Sequence, residues 1–421
     1  MTLLSLARGS LANRRFAVAL TVLTIAISIA LLVLVEQMRS EVREGFYRSV
    51  SGTDLIVGAP TAPVQLLLYS VFGLGNATNN VSWQTYSEVI AVPSVAWSIP
   101  ISLGDSHRGY RVIGTSAAFF EHYRYAGQQA LALGEGAALN DLYDVVIGAQ
   151  VARQLDYAVG DQIVIAHGTG NVSLQAHDDQ PFTISGVLAP TGTPVDQSLY
   201  ISLEAHTAVH IGWERGVQMR GRTLDPERAR AMAEQLQPDS ITAFFLGLTS
   251  RAAVFGLQSR INQYDGEPLL AILPGIALQE LWRITGFAEQ ILRVVAGMVV
   301  LAGLLGMLTA LISTLNERRR EMAILRAAGA RPWQIASLLV LEAAVVTAMG
   351  IGLGLLLAYA LQVALAPWLL ARFGIAVGLT WPALWQWLVL GGIWLAGILV
   401  ALIPALMVYR RTLADGMQVR Q

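Results

Sequence analysis

Residues 16–35 read FAVALTVLTIAISIALLVLV, 20 positions without a charged side chain. A helix rises about 1.5 Å per residue, so about 20 apolar residues cross the hydrocarbon core of a bilayer. This run therefore predicts a membrane-crossing helix. Two more charge-free runs follow, 23 residues at Val294–Asn316 and 37 at Phe373–Tyr409. Pro332–Ala371 is interrupted only by Glu342. Four transmembrane helices are expected, at roughly 16–36, 287–315, 334–366 and 384–408. The longest run exceeds one span, and Trp381-Pro382 divides a short outer segment, 373–383, from the fourth helix. Arg14 and Arg15 precede the first run as they would in a signal peptide. The run is too long for a signal core and no A-x-A site follows, so a retained signal anchor is expected.

Composition agrees with these spans. Only 14% of the 421 residues are charged and 54% are hydrophobic, whereas soluble domains carry about 25% charge. All 28 basic residues are Arg. Without Lys there is no Walker A loop and no Schiff-base chemistry. Without Cys there is no disulfide, thiol nucleophile or Cys-ligated metal. No G-x-S-x-G elbow or H-E-x-x-H helix occurs, so no hydrolase constellation is present and no catalytic residue is expected. A net charge of −1 gives no footprint for nucleic acid.

Arginine placement sets the topology. Arg8, Arg14 and Arg15 precede the first span; Arg318, Arg319, Arg320, Arg326 and Arg331 lie between the second and third; Arg410, Arg411 and Arg420 follow the fourth. By the positive-inside rule these segments are cytoplasmic, and the long stretch between the first two spans lies outside. Residues 36–283 hold 15 Arg against 24 Asp plus Glu, a net of −9, while the remainder nets +8. The expected division is a cytoplasmic N-terminus (1–15), helix 1 (16–36) and an extracytoplasmic α+β domain with helical stalks (37–283). Then follow stalk end and helix 2 (284–316), a cytoplasmic connection (317–332), helix 3 (333–371), an outer loop (372–383), helix 4 (384–409) and a cytoplasmic tail (410–421).

Inside the outer segment, strands are expected at 54–57, 110–113, 145–147, 162–166, 182–187 and 198–201. Helices are expected at 84–91, 149–155, 226–236 and about 250–264. The apolar stretch Val64–Leu74 is too short to span; it reads as a buried core helix or as an exposed element meeting lipid or a partner. The polar flank at 36–44, free of Gly and Pro, and the flank at 277–291, with Leu278, Leu281, Trp282, Thr285 and Ala288 on one stripe, read as helical stalks continuing the membrane helices.

The cytoplasmic connection reads NERRREMAILRAAGARPWQI (316–335). It resembles the FtsX-type permease signature, E-R-x-x-E-x-A-I-L-R-A-x-G-A, between two membrane helices. LEAA at 341–344 with Gly350, Gly352 and Gly354 is similar to that family's third helix. In the outer segment SGTD (51–54), VVIG (145–148), ARQL (152–155), VGD (159–161), FTISGVL (182–188) and SLYISL (198–203) resemble the periplasmic domain of MacB-type permeases. The resemblance runs along nearly the whole chain, in family order. It implies an ABC-transporter permease of the MacB, LolC/LolE and FtsX type in the bacterial inner membrane, without a fused ATPase. It further implies a homodimer working with two copies of an ABC ATPase that binds ATP and Mg. The output would be export or extraction of a lipophilic or periplasmic substrate. The alternatives are FtsX-like regulation of a periplasmic enzyme or lipoprotein without transport, or a part in metal homeostasis. DLIVG (54–58) and LLLYSVFGLGNAT (66–78) are similar to a subgroup of these permeases associated with zinc homeostasis.

Several residues carry these readings. Glu317, Arg318, Arg319, Arg320, Glu321, Met322, Leu325, Arg326 and Gly329 form an ATPase-coupling helix, the alternative being an Arg-rich loop that only fixes topology. Glu342, about 15 Å into the third span, has a structural or coupling role, or less simply a proton relay. Gly303, Gly306, Gly350, Gly352 and Gly354 allow close helix contact, in a dimer seam or within one chain. His206 and His210, four apart on a helix opened by Ser202, share a face and suit a divalent metal such as zinc. A third ligand would have to come from elsewhere, Glu204 being on the wrong face and His177-Asp178-Asp179 the other cluster of ligand type. The ordinary reading is solvent-exposed histidine on a polar domain.

Overall fold

A computed structural model describes residues 14–167, 175–176, 180–211, 224–317, 327, 329–373, 378 and 381–415. In chain order, helix α1 (Arg15–Arg48) leads to β1 (Leu55–Gly58), α2 (Pro63–Phe72), β2 (Val95–His107), β3 (Tyr110–Thr115) and β4 (Leu133–Gly136). Then come β5 (Asp144–Ile147), α3 (Ala149–Leu155), β6 (Phe182–Leu188), β7 (Ser198–Ser202) and α4 (Leu203–His210). β8 (Ala243–Leu248) and β9 (Leu270–Ile272) precede three long helices, α5 (Pro274–Glu317), α6 (Pro332–Phe373) and α7 (Leu384–Asp415). The chain separates into two compact units, one holding residues 42–285 and 368–376, the other the rest.

α1, α5, α6 and α7 are the four helices long and apolar enough to cross a membrane. They expose many large apolar side chains, among them Phe287, Met298, Leu356, Leu388 and Leu399. In lipid such faces cost nothing. The same indifference removes the hydrophobic drive for helices to associate, so close packing and interhelical hydrogen bonds must hold them. Here α1 is central, burying Ile25, Ala26, Ile29 and Ala30. A Cβ placed on Gly350 would lie 2.5 Å from Ile25 Cγ2, and one on Gly354 would lie 2.8 Å from the Ala26 carbonyl. Ser28 Oγ donates to the Val299 carbonyl at 3.2 Å, and a Cβ on Gly303 would stand 3.0 Å from that hydroxyl. α7 joins by Gly397 packing on Thr347 and by Trp394 Nε1 donating to the Ala344 carbonyl at 3.0 Å.

The outer unit is built on a mixed sheet in the order β9-β1-β8-β2-β3-β7-β5-β6-β4. The β3–β7 and β5–β6 pairs are parallel and the other neighbours on this path antiparallel. α2 is a core helix, which settles the two readings of its sequence: Leu66, Leu67 and Tyr69 are buried, no apolar side chain within it is exposed, and Leu74 beyond its end is. Gly58 permits this seat, since a Cβ there would meet Leu66 Cδ1 at 2.7 Å. The expected strand at 162–166 is two short ones, 162–163 pairing with β6 and 166–167 with β2. The expected helix 226–236 is helical to Ala231 and then a 3-10 turn at 233–235. The longest strand, β2, was not expected: Pro100 and Gly104 break the strand pattern in sequence. β8, AFFLGL, is buried on both faces and so lacks alternation. α6 continues through Pro367 to Phe373, past the expected limit of 366.

Two outcomes follow from this packing. Gly354→Ala forces a methyl against backbone, so thermal unfolding of the detergent-solubilised chain should show a loss of about 1–3 kcal/mol. Gly391→Ala, where nothing stands within 4 Å, should leave the melting temperature unchanged or slightly raised; equal effects would refute the packing. In the outer unit burial raises the phenol of Tyr69 to about 12 and pushes those of Tyr123 and Tyr200 up as well. A folded-state value above the unfolded value of about 10 means stability is intact below that pH and falls as pH rises past it. Near-UV circular dichroism should therefore be lost at alkaline pH. Tyr200→Phe, which gives up a 3.5 Å contact to the Val195 carbonyl and a side-chain hydrogen bond with Ser198, should move the midpoint upward and cost about 1 kcal/mol at neutral pH.

Candidate functional site

At the connection between the second and third long apolar helices, α5 ends at Glu317. Arg318, Arg319, Arg320, Glu321, Met322, Leu325 and Arg326 lie outside the described residues. Gly329 takes a φ of +94°, a left-handed turn that favours glycine. α6 then opens with Pro332 in its first turn, where the missing N–H costs nothing, and the Arg331 N–H donates to Gln334 Oε1 at 2.8 Å.

Within the membrane unit Glu342 is buried and lines a cavity of about 50 Å³ with Arg14, Thr21, Met307 and Val346. An acid and a guanidinium thus line one half-open cavity beside α1, α5 and α6. Of the five glycines singled out in sequence, Gly303, Gly350 and Gly354 meet α1 of the same chain, whereas Gly306 and Gly352 face open space.

Beyond the apolar runs, α1 and α5 are joined by charge. Arg39 Nε donates to Glu36 Oε1 at 3.0 Å and Nη1 to Glu289 Oε2 at 3.2 Å, and Arg293 Nε lies 3.4 Å from Glu36 Oε2. Glu36 is buried, so both Arg partners compensate a carboxylate that would be costly alone. Neither helix breaks here. α1 runs unbroken for 34 residues and α5 for 44, well beyond the length a bilayer needs.

The outer unit brings His206 and His210 together with a residue a hundred positions earlier. Ser202 caps α4 by accepting the Ala205 N–H at 3.0 Å, which fixes where both histidines fall. The rings lie 4.5 Å apart. Facing them is Asp105 on β2, its side chain 0% exposed; those of His206 and His210 are 13% and 33% exposed. The solvent-exposed reading fails for His206. Nε2 of His206 is 3.8 Å from Asp105 Oδ2, and Nε2 of His210 is 3.7 Å from Oδ1.

A bulge aims the carboxylate. Ser102 pairs with Gly114 and Leu103 with Ile113, but Val112 pairs with Asp105, so Gly104 is skipped. That one extra residue moves Asp105 from the face of Leu103 to the face of Ser102. Ser102 Oγ sits 3.4 Å from His206 Nδ1, and a Cβ on Gly114 would lie 3.0 Å from His206 Cβ, so this is the face that receives α4. Sequence spacing identified the histidine pair. Asp105 left no local trace, because its position depends on strand register and a bulge. His107, two residues on, is engaged differently: Nδ1 donates to the Val164 carbonyl at 2.6 Å and Nε2 accepts from Tyr157 at 2.9 Å. Burial lowers its pKa, which keeps that ring neutral. The sequence cluster at 177–179 lies outside the described residues.

Comparison with known proteins shows the family. Residues 18–239 match the MacB-like periplasmic core domain, and residues 293–413 the FtsX-like permease C-terminal domain. The Macrolide export ATP-binding/permease protein MacB of Nitrosomonas europaea is 26% identical over 198 residues, 44% of this chain. The chain spans 30% of that relative's length. The periplasmic region of MacB from Actinobacillus actinomycetemcomitans aligns over 56% of this chain and 97% of its own, with 11% identity and a TM-score of 0.34. The extracellular domain of the noncanonic ABC-type transporter YknZ from Gram-positive bacteria aligns over 52% and 99%, with 10% identity and a TM-score of 0.30. Four apolar helices, an α/β domain between the first two, and family matches covering both parts lead to one conclusion: the chain belongs to the MacB/FtsX-type ABC permease family, with a MacB-like periplasmic domain.

Proposed function

We propose that this permease subunit acts in the bacterial inner membrane as a mechanical transmitter. It assembles as a homodimer with two copies of a separate ABC ATPase, and nucleotide turnover in that partner is converted into movement of the periplasmic domain. The reading rests chiefly on α1 and α5. Both continue as unbroken helix beyond their apolar runs, and Arg39 with Glu36 and Glu289 clamps one to the other. A continuous helix transmits displacement along its axis, because a sharp kink must disrupt its ladder of hydrogen bonds. The output is extraction or expulsion of a lipophilic or periplasmic substrate. The motor would dock at the segment 317–332, whose Arg-flanked Met322 and Leu325 suit a shallow groove. Gly306 and Gly352, facing open space, offer small-residue surfaces to the second copy.

The tagged chain, purified from its own host's membranes, should bring down an ATPase bearing a Walker A loop. Arg318→Ala, Arg319→Ala and Arg320→Ala together should cut the ATPase recovered at least tenfold. Ser40→Pro, a break in α1, should leave ATPase recovery intact and abolish the ATP-dependent change in hydrogen exchange of residues 42–285. Equal recovery by the triple variant removes the docking assignment. An ATP-dependent exchange change that survives Ser40→Pro removes the transmission role of α1.

A further inference from the structure

We propose that Asp105, His206 and His210 form a binding site for a divalent first-row transition metal, with zinc as the best fit. One ligand atom from each lies within 4.8 Å of the other two. The 3.7 and 3.8 Å separations between imidazole nitrogens and carboxylate oxygens are too long for hydrogen bonds. They are close to the edge of a metal-ligand polyhedron: bonds of about 2.0–2.1 Å in a tetrahedron set neighbouring ligand atoms about 3.4 Å apart. Around an ion these two edges close by about a few tenths of an ångström and the widest edge of the triangle, within 4.8 Å, by up to about 1.4 Å, which side-chain rotation supplies.

Proton placement points the same way. His210 Nδ1 lies 2.6 Å from the His206 carbonyl, and a carbonyl only accepts, so Nδ1 carries the proton. In the neutral ring Nε2 then presents a lone pair toward a carboxylate oxygen. Two acceptors facing each other require a positive species between them, either a proton or a metal ion. Metal-bound histidine commonly has this arrangement, its second nitrogen held by a backbone carbonyl, which fixes the ring and its tautomer. His206 has a partner on the same side, Ser102 Oγ at 3.4 Å from Nδ1, so both Nε2 atoms turn to Asp105.

The donor set selects the metal class. Two imidazoles and one carboxylate suit zinc and its neighbours; magnesium and calcium demand oxygen ligands. The protein supplies three ligands from a rigid strand and a capped helix. His210, a third exposed, marks the side from which an ion enters and where water or a partner's donor completes the shell.

The test uses the full chain in detergent, stripped with chelator and titrated with Zn²⁺ alone in competition with a chromophoric chelator. One Zn²⁺ per chain at micromolar affinity or tighter is expected, with His210→Ala and the isosteric Asp105→Asn each weakened at least tenfold. His122→Ala, at a surface histidine outside the cluster, should bind as the unaltered chain does. Co²⁺ in place of Zn²⁺ should give the intense visible bands of four- or five-coordination, lost in His210→Ala. Near-UV circular dichroism confirms that each variant is folded; should Asp105→Asn unfold, the exposed His210→Ala still decides. No competition below millimolar Zn²⁺, or unchanged stoichiometry and affinity in folded His210→Ala, overturns the site and leaves a proton-bridged ion pair in its place.

Discussion

The membrane unit depends on how closely α6 approaches α1. Lipid tails are as apolar as leucine, so burying Ile25 or Ile29 between helices gains little over leaving it in the bilayer. What holds is dispersion at short range, and that range is set by Gly350 and Gly354, where any Cβ would strike Ile25, Ile29 or the Ala26 carbonyl. Ser28 adds a hydrogen bond from the same helix to α5. A helix held on two sides in this manner is constrained to move with its neighbours. This makes α1 suitable as a lever, and it explains why small residues cluster where α1 is met and large apolar ones face outward.

Beyond the apolar runs the balance of forces reverses. Glu36 and Arg39 stand where charge is tolerated, yet Glu36 is buried, with Arg39 and Arg293 against it and Glu289 joined through Arg39. Such a cluster contributes less through net stability than through register. A guanidinium shared between two carboxylates on different helices fixes their relative rotation and sliding, which van der Waals contact alone fixes poorly. The glycine contacts and the charge cluster are thus complementary: one sets the distance between helices, the other their phase.

Much of this was legible in the sequence, and the physics explains the boundary. Absence of charge over 20 or more residues has almost no other meaning than a membrane span, and Arg asymmetry orients it. Local patterns also revealed α3 and the His206–His210 face, because helical spacing is a property of the chain alone. β2 stayed hidden behind Pro100 and Gly104, and β8 behind its two-sided burial. The glycines were legible as close-contact residues, but which of them meet α1 was not, since 303, 350 and 354 differ from 306 and 352 only in where neighbouring helices lie.

Asp105 shows why the third ligand was beyond reach. Its face is decided by the skipped Gly104, its burial by the seating of α4, and that seating by the lack of a side chain on Gly114. Each condition involves a different segment, and none leaves a pattern at residue 105. A carboxylate 1% exposed and facing two imidazoles is also expensive to maintain. An apolar residue there would give a more stable strand, and a strand without the bulge would point the acid away. That the fold instead uses an extra residue to turn a carboxylate inward, toward nitrogens held by their own Nδ1 contacts, is a local conflict between stability and arrangement. Such conflicts mark sites shaped for a ligand, and a divalent cation is the species whose charge, size and preferred donors resolve this one.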